Sequence, residues 1–140
     1  MRKLIAGVAM LAVLVCVFMP SVSFTEDRDT VLLAKTIYAL GKSEDYKTKL
    51  ALGSVVMNRV ENPWFRGGLG EILQDQQQFP AGSRYDTESL RAAHDVLSGK
   101  RVLDANALYY QAADSSNAWG EAYRVDSVGS YNFYSVSGNL

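Results

Sequence analysis

Between Leu33 and Val60 the sequence encodes two amphipathic helices joined by one short acidic turn, Leu40-Gly41-Lys42-Ser43-Glu44-Asp45-Tyr46. Helices joined this closely must pack side by side, so the turn fixes the geometry of everything that follows. In the first helix Leu32, Leu33, Thr36, Ile37 and Leu40 fall at helical spacing, with Thr30 placed to cap it and Gly41 to end it. Ser43 is suited to cap the second, which places Glu44 and Asp45 in its first turn, where carboxylates complement the helix dipole. Leu50, Ala51, Val55, Met57 and Val60 supply its apolar positions, Lys47, Lys49 and Arg59 are expected toward water, and Asn62-Pro63 stops it.

Gly67-Gly68 and Gly70 then loosen the chain before a helical turn or two at Glu71-Ile72-Leu73, and residues 75–84 read as an ordered loop. A third long helix follows Thr87, with Leu90, Ala93, Val96 and Leu97 on one face and Gly99 as its stop. Beyond Gly99 the pattern changes. Ala107-Leu108-Tyr109-Tyr110-Gln111 and Tyr131-Asn132-Phe133-Tyr134 are short, aromatic and bounded by turn residues, which predicts two or three short strands. The expected fold is α+β, helices first and a small antiparallel sheet after. Within each of the pairs Tyr109-Tyr110 and Phe133-Tyr134, alternation sends one ring to the interior.

The 140 residues suit one domain. Met1-Arg2-Lys3 is a basic start, residues 4–19 form an apolar run, and Ser21-Val22-Ser23 offers small residues for cleavage. A run of 16 is short of the roughly 20 apolar residues that span a bilayer. The expectation is a signal peptide over 1–23, an exposed lead-in over 24–31 and a domain over 32–140, with export to the periplasm, envelope or medium and no stable membrane anchor once the leader is removed. Cys16, the single cysteine, lies inside the apolar run between Val15 and Val17, where lipidation is not expected, so the mature domain must rest on its core rather than on disulfides. The balance of 14 basic against 15 acidic residues, moved further to acid by loss of Arg2 and Lys3, argues against nucleic acid as a partner. With His94 the sole histidine, placed mid-helix among polar neighbours, ligands for zinc are lacking, and no metal or cofactor is expected.

The order of motifs resembles the spore cortex-lytic, cell wall hydrolase family, relatives of lysozyme-like lytic transglycosylases that act on peptidoglycan. Ala34-Lys35-Thr36-Ile37-Tyr38-Ala39-Leu40-Gly41-Lys42-Ser43-Glu44-Asp45-Tyr46 lies without a gap over the family's Ala-Arg-x-x-Tyr-Gly/Ala-Glu-Ala-x-Gly-Glu-x-Tyr. Asn58-Arg59-Val60, Gln78-Phe79, Ala92-Ala93-His94-Asp95-Val96-Leu97-Ser98-Gly99, Ala107-Leu108-Tyr109-Tyr110 and Trp119 follow in the family's order. The resemblance implies a lysozyme-like fold and peptidoglycan glycan strands as the partner, with Tyr38, Gln78, Phe79, Tyr109, Tyr110 and Trp119 as substrate-binding residues, since pyranose faces pack on aromatic rings. Two positions depart from it: Leu40 stands where the catalytic glutamate is expected, and Tyr131 stands for a histidine.

Glycosidic cleavage needs a proton on the leaving oxygen, and a lytic transglycosylase manages with one carboxyl group as acid and then base. Leucine cannot supply it. Either the chain is a peptidoglycan glycosidase of lytic transglycosylase type that uses Glu44, or another cleft carboxylate such as Glu71 or Glu121, or it is a catalytically degenerate binding or regulatory protein. Against Glu44 stands its ordinary role at a helix start, where the dipole favours the charged form.

Overall fold

Three aspartates, rather than the hydroxyl residues near them, begin the three long helices. A computed structural model of the chain describes residues 27–115 and 120–136. Asp27 caps α1 (Arg28–Gly41), Asp45 caps α2 (Tyr46–Glu61) and Asp86 caps α4 (Thr87–Leu97), each carboxylate accepting from the backbone N–H three residues on, at 2.7, 2.8 and 2.7 Å. The first helix therefore starts before Thr30, and residues 28–31 of the expected lead-in are its first turn, with Thr30 buried. Ser43 is not a cap. The hydroxyl of Thr48 also donates to Asp45 at 2.7 Å, so Asp45 satisfies two donors and sets the start of α2 two residues later than the sequence suggested. Glu44 is left in the turn, ahead of the cap.

Between α2 and α4 lies the short α3 (Leu69–Gln74), and after α4 come β1 (Tyr109–Ala112), β2 (Arg124–Val128) and β3 (Tyr131–Tyr134). The sheet is antiparallel with order β1-β3-β2; Tyr110 pairs with Phe133 and Gln111 with Asn132, and a bulge interrupts β2 between Arg124 and Asp126. β3 is central, and this changes the burial of its rings: Phe133 and Tyr134 are both buried, where alternation alone had placed one of them inside, while Tyr109 and Tyr110 are half-buried.

Leu33 and Ile37 of α1, Leu52, Val55 and Val56 of α2, Ile72 of α3, Val96 of α4 and Phe133 of β3 form the fully buried centre. α2 approaches its neighbours so closely at Gly53 that a Cβ there would lie 2.9 Å from Val96 Cγ2 and 3.2 Å from Ile37 Cδ1, tighter than van der Waals contact allows. The polar side chains of α2 join the helices to the sheet. Asn58 Nδ2 donates to the carbonyls of Asp104 and Ala107 at 2.8 and 3.0 Å, and Arg59 Nε to that of Leu108 at 2.6 Å, which delivers the chain into β1 at a fixed place.

Lys49 and Arg59 are thus corrections to the sequence reading, being 3% and 5% exposed. Lys49 runs inward and ends 2.8 Å from Glu88 Oε1 and 3.9 Å from Asp86 Oδ2. Its charge is met from a neighbouring helix rather than by water. No helix among the described residues is long and apolar enough to cross a membrane; the expected signal peptide and Trp119 lie outside the described residues.

Candidate functional site

Four separate segments converge on one cleft of about 460 Å³, within the range of roughly 300–1,000 Å³ typical of ligand sites. α2 supplies Arg59 from its last turn, the bend after it Phe65, the loop after α3 Asp75, Gln77 and Gln78, and β1 Tyr109 and Tyr110. Arg59 is the floor. Its guanidinium sits 4.9, 4.8 and 5.2 Å from the ring centres of Phe65, Phe79 and Tyr109, and its second engaged donor reaches Gln78 Oε1 at 3.3 Å. Burial pushes its pKa down, with Tyr110, Tyr109 and Asp75 pulling it back up, and an arginine starts so high that it stays charged.

Around that floor the walls are held by their own hydrogen bonds. The Tyr110 hydroxyl donates to the Gln78 carbonyl at 3.1 Å, and its ring stacks on Phe79 with centres 5.5 Å apart and planes 5° from parallel. Phe79 is 1% exposed, so it supports the wall from behind and offers no open face to a ligand. Asp75 accepts from the Gln78 amide and the Gln77 backbone N–H, both at 3.0 Å; these bonds, with Arg59 nearby, hold its carboxyl below the usual range.

The acidic turn is reached through a third ring. Tyr110 and Tyr131 are 6.1 Å apart, and the Tyr131 hydroxyl donates to the backbone carbonyl of Leu40 at 2.6 Å. That carbonyl belongs to the last turn of α1, where helical partners run out, so the phenol satisfies an otherwise orphaned acceptor. The two positions that depart from the expected motif are therefore in direct contact. Burial, then the nearby Glu44 and Asp114 carboxylates, raise the pKa of Tyr131 and keep its hydroxyl protonated as a donor. The Leu40 side chain is half-buried and packs against the core.

Glu44 is half-buried in the turn, its backbone N–H bonded to the Gly41 carbonyl at 3.0 Å. Its Oε2 lies against Gly129 of the β2–β3 hairpin, 2.7 Å from where a Cβ on that residue would stand. It borders Tyr131 and does not line the cleft itself. Glu71 is exposed and accepts from the Gly68 N–H at 3.0 Å to cap α3, and Glu121 is exposed and paired with Arg124 at 2.7 Å. Of the predicted binding residues, Gln78, Tyr109 and Tyr110 meet at the cleft with Phe79 beneath; Tyr38, half-buried on α1, is not among its lining. Arg59, Phe65 and Asp75 were missed. For Arg59 a signal existed: it continues the buried stripe of Leu52, Val55 and Val56 at helical spacing.

Residues 43–134, more than half of the chain, match the family model described as Cell Wall Hydrolase. The chain belongs to the cell wall hydrolase family. Among curated members it is 25% identical over 99 residues to the spore cortex-lytic enzyme of Halalkalibacterium halodurans, which covers 66% of this chain and 30% of that protein. It is 26% identical over 115 residues to the spore cortex-lytic enzyme of Bacillus subtilis, covering 76% and 37% respectively. The chain thus spans about a third of the length of these relatives. Its fold is that of the catalytic domain of the Bacillus cereus SleB protein, with a TM-score of 0.67 at 22% identity over 76% of this chain and 88% of that one. The catalytic domain of the germination-specific lytic transglycosylase SleB from Bacillus anthracis gives the same TM-score at 20% identity, over 76% and 93%. The expected lysozyme-like α+β architecture is the observed one.

Proposed function

We propose that this family member is an exported, peptidoglycan-directed protein that holds glycan strands in the Arg59–Tyr110 cleft without cutting them, acting at the cell envelope as a binding or regulatory module. The observation that carries this reading is the contact between Tyr131 and Leu40. Where the family resemblance calls for a proton donor there is an aliphatic side chain, and where it calls for a histidine there is a phenol committed to the Leu40 carbonyl. Leucine has no proton to give to a departing sugar oxygen, and the Tyr131 hydroxyl directs its proton to the Leu40 carbonyl instead. The cleft itself keeps what sugar recognition needs, half-buried aromatic rings beside amide and charged groups.

A second reading is favoured by Glu44, which stands beside Tyr131 at the end of the ring series Phe79, Tyr110 and Tyr131. In it the protein is a lytic transglycosylase-type glycosidase with Glu44 as the acid. One experiment separates the two. Residues 24–140 are incubated with purified peptidoglycan, and both co-sedimentation and released muropeptides are measured for wild type, Glu44→Gln and Leu40→Glu. The first reading expects sedimentation with no release from wild type or Glu44→Gln, and release only from Leu40→Glu. Release by wild type that disappears in Glu44→Gln would establish the second, and failure to sediment would remove the first.

A further inference from the structure

We infer that the hollow between α1 and the chain following α3 is a second binding site, which takes the C-terminal end of a peptide: a free carboxylate beside small apolar residues. The cavity holds about 230 Å³, and none of its lining residues belongs to the cleft. Successive residues after Ile72 serve the two sites in turn: Gln74 and Gln76 line this cavity, while Asp75, Gln77 and Gln78 line the cleft. The far wall is pressed against α1 at Gly82, where a Cβ would overlap the Lys35 carbonyl and lie 3.0 Å from the Lys35 Cβ. That close approach shapes the hollow.

Its polar groups are of one kind. No carboxylate lines the cavity, and its single charged side chain is Lys35, half-buried and without an ion-pair partner among the described residues. Thr36 is 3% exposed, and its hydroxyl makes one bond, to the Leu32 carbonyl at 3.4 Å, outside the roughly 2.5–3.0 Å of a well-formed O–H···O bond. A free ammonium, a slack buried hydroxyl and the amides of Gln74 and Gln76 together select an acceptor with charge, and a carboxylate is such a group. Leu32, Leu73 and Ala81 add apolar surface that a bare inorganic anion cannot use. The volume is below the roughly 300–1,000 Å³ of sites that enclose a whole ligand, so it suits the end of a chain. An adjoining cavity shares Leu32 and Gln74 and carries Arg28, Asp29 and Glu71. Its excess of negative charge opposes a polyanion, whereas the N–H groups of a peptide find acceptors there.

The test titrates the isotope-labelled protein with N-acetyl-Ala-Ala in its L- and D-forms, with the C-terminal amide of each, and with acetate, following backbone chemical shifts. The free acid is expected to bind with a Kd of about 1 mM, the scale for a ligand of this size, and to shift residues 35, 36, 74, 76 and 82 rather than Tyr109 and Tyr110. The amide should bind about tenfold more weakly, and Lys35→Met should bring the acid down to the affinity of the amide, with thermal unfolding as the check on the fold. Binding by either form supports the site, and the tighter of the two assigns its source, protein C-termini for the L-form and wall peptides for the D-form. Equal affinity for acid and amide, acetate binding as tightly as the dipeptide, shifts confined to the cleft, or an acid preference untouched by Lys35→Met would each overturn the inference. Glycan binding in the cleft enters none of these readouts, so the site stands or falls separately from the proposed function.

Discussion

Gly129→Ala should destabilise the fold and should do so through Thr48 and Glu44. The residue sits at the β2–β3 turn with φ +56°, where an L side chain costs roughly 1–2 kcal/mol from clash with the following carbonyl. Its missing side chain is also where α2 docks: an added Cβ would stand 2.7 Å from Glu44 Oε2 and 3.0 Å from Thr48 Cγ2, and closer still to Thr48 Oγ1. Overpacking of this kind adds roughly 1–3 kcal/mol. The total of about 2–5 kcal/mol corresponds to a Tm fall of about 8–20 °C at roughly 4 °C per kcal/mol for a domain of this size. Urea and thermal unfolding of Gly129→Ala measure it, with Gly70→Ala as control, because a Cβ on Gly70 meets nothing within 4 Å and alanine favours a helix. If Glu44 carries part of the clash, Glu44→Ala combined with Gly129→Ala should recover about 0.5 kcal/mol or more relative to additivity. A Gly129→Ala protein within about 0.5 kcal/mol of wild type, the range of an inert surface change, would refute the placement of the hairpin against the acidic turn.

Two further outcomes follow from the charges. Asp45 has its carboxyl held below the ordinary aspartate value first by the Thr48 hydroxyl and then by the Thr48 backbone N–H, so its contribution is fully present above that ordinary value and is lost as pH falls through it toward the lower folded-state pKa. Asp45→Asn, an equally good cap that does not titrate, should unfold at the same urea concentration as wild type at pH 7, and its stability should fall less steeply in acid, as read by acid-titration circular dichroism. For the buried Lys49, Glu88→Ala should cost about 1–3 kcal/mol by leaving the ammonium with only the weaker Asp86 contact at 3.9 Å, whereas Lys49→Met should cost less than about 1 kcal/mol, because the carboxylates it abandons are 42% and 48% exposed and rehydrate. Urea denaturation of the two variants gives the comparison, and a Lys49→Met cost equal to that of Glu88→Ala would show that the pair contributes more than desolvation takes away.

The helices, the turn between the first two and the aromatic strands were legible because each is signalled by periodicity or β-propensity within a dozen residues. The caps were legible only as a choice among neighbours. Ser43 and Asp45 are both good caps, and the decision came from Thr48, whose backbone and hydroxyl both reach Asp45. Lys49 and Arg59 defeated the sequence reading for a different reason: charge says water, helical phase says interior, and the partners that settle the matter, Glu88 and the Leu108 carbonyl, lie 39 and 49 residues away. β2 is polar and mostly exposed, with little of its own to declare a strand; it exists because β3 offers it a ladder. The cleft shares this property. Gln78, Tyr109 and Tyr110 were named from motif resemblance, but Phe65 and Asp75 become site residues only when the loop after α3 folds against the bend after α2.

The coupling of Leu40 to Tyr131 decides how informative a restored carboxylate can be. The Tyr131 hydroxyl binds the main-chain carbonyl of residue 40, not its side chain, so the bond survives any substitution there. Leu40→Glu therefore changes the side chain without releasing the end of α1 from the sheet, and the new carboxyl enters a half-buried position that packs against the core. Partial burial raises a carboxyl pKa, the direction a general acid needs. Cleavage gained by this single change would mean that the cleft presents its glycan in reacting geometry and lacks only the proton. Continued inactivity with glycan binding intact would instead assign part of the loss to Tyr131, which Leu40→Glu combined with Tyr131→His then tests directly.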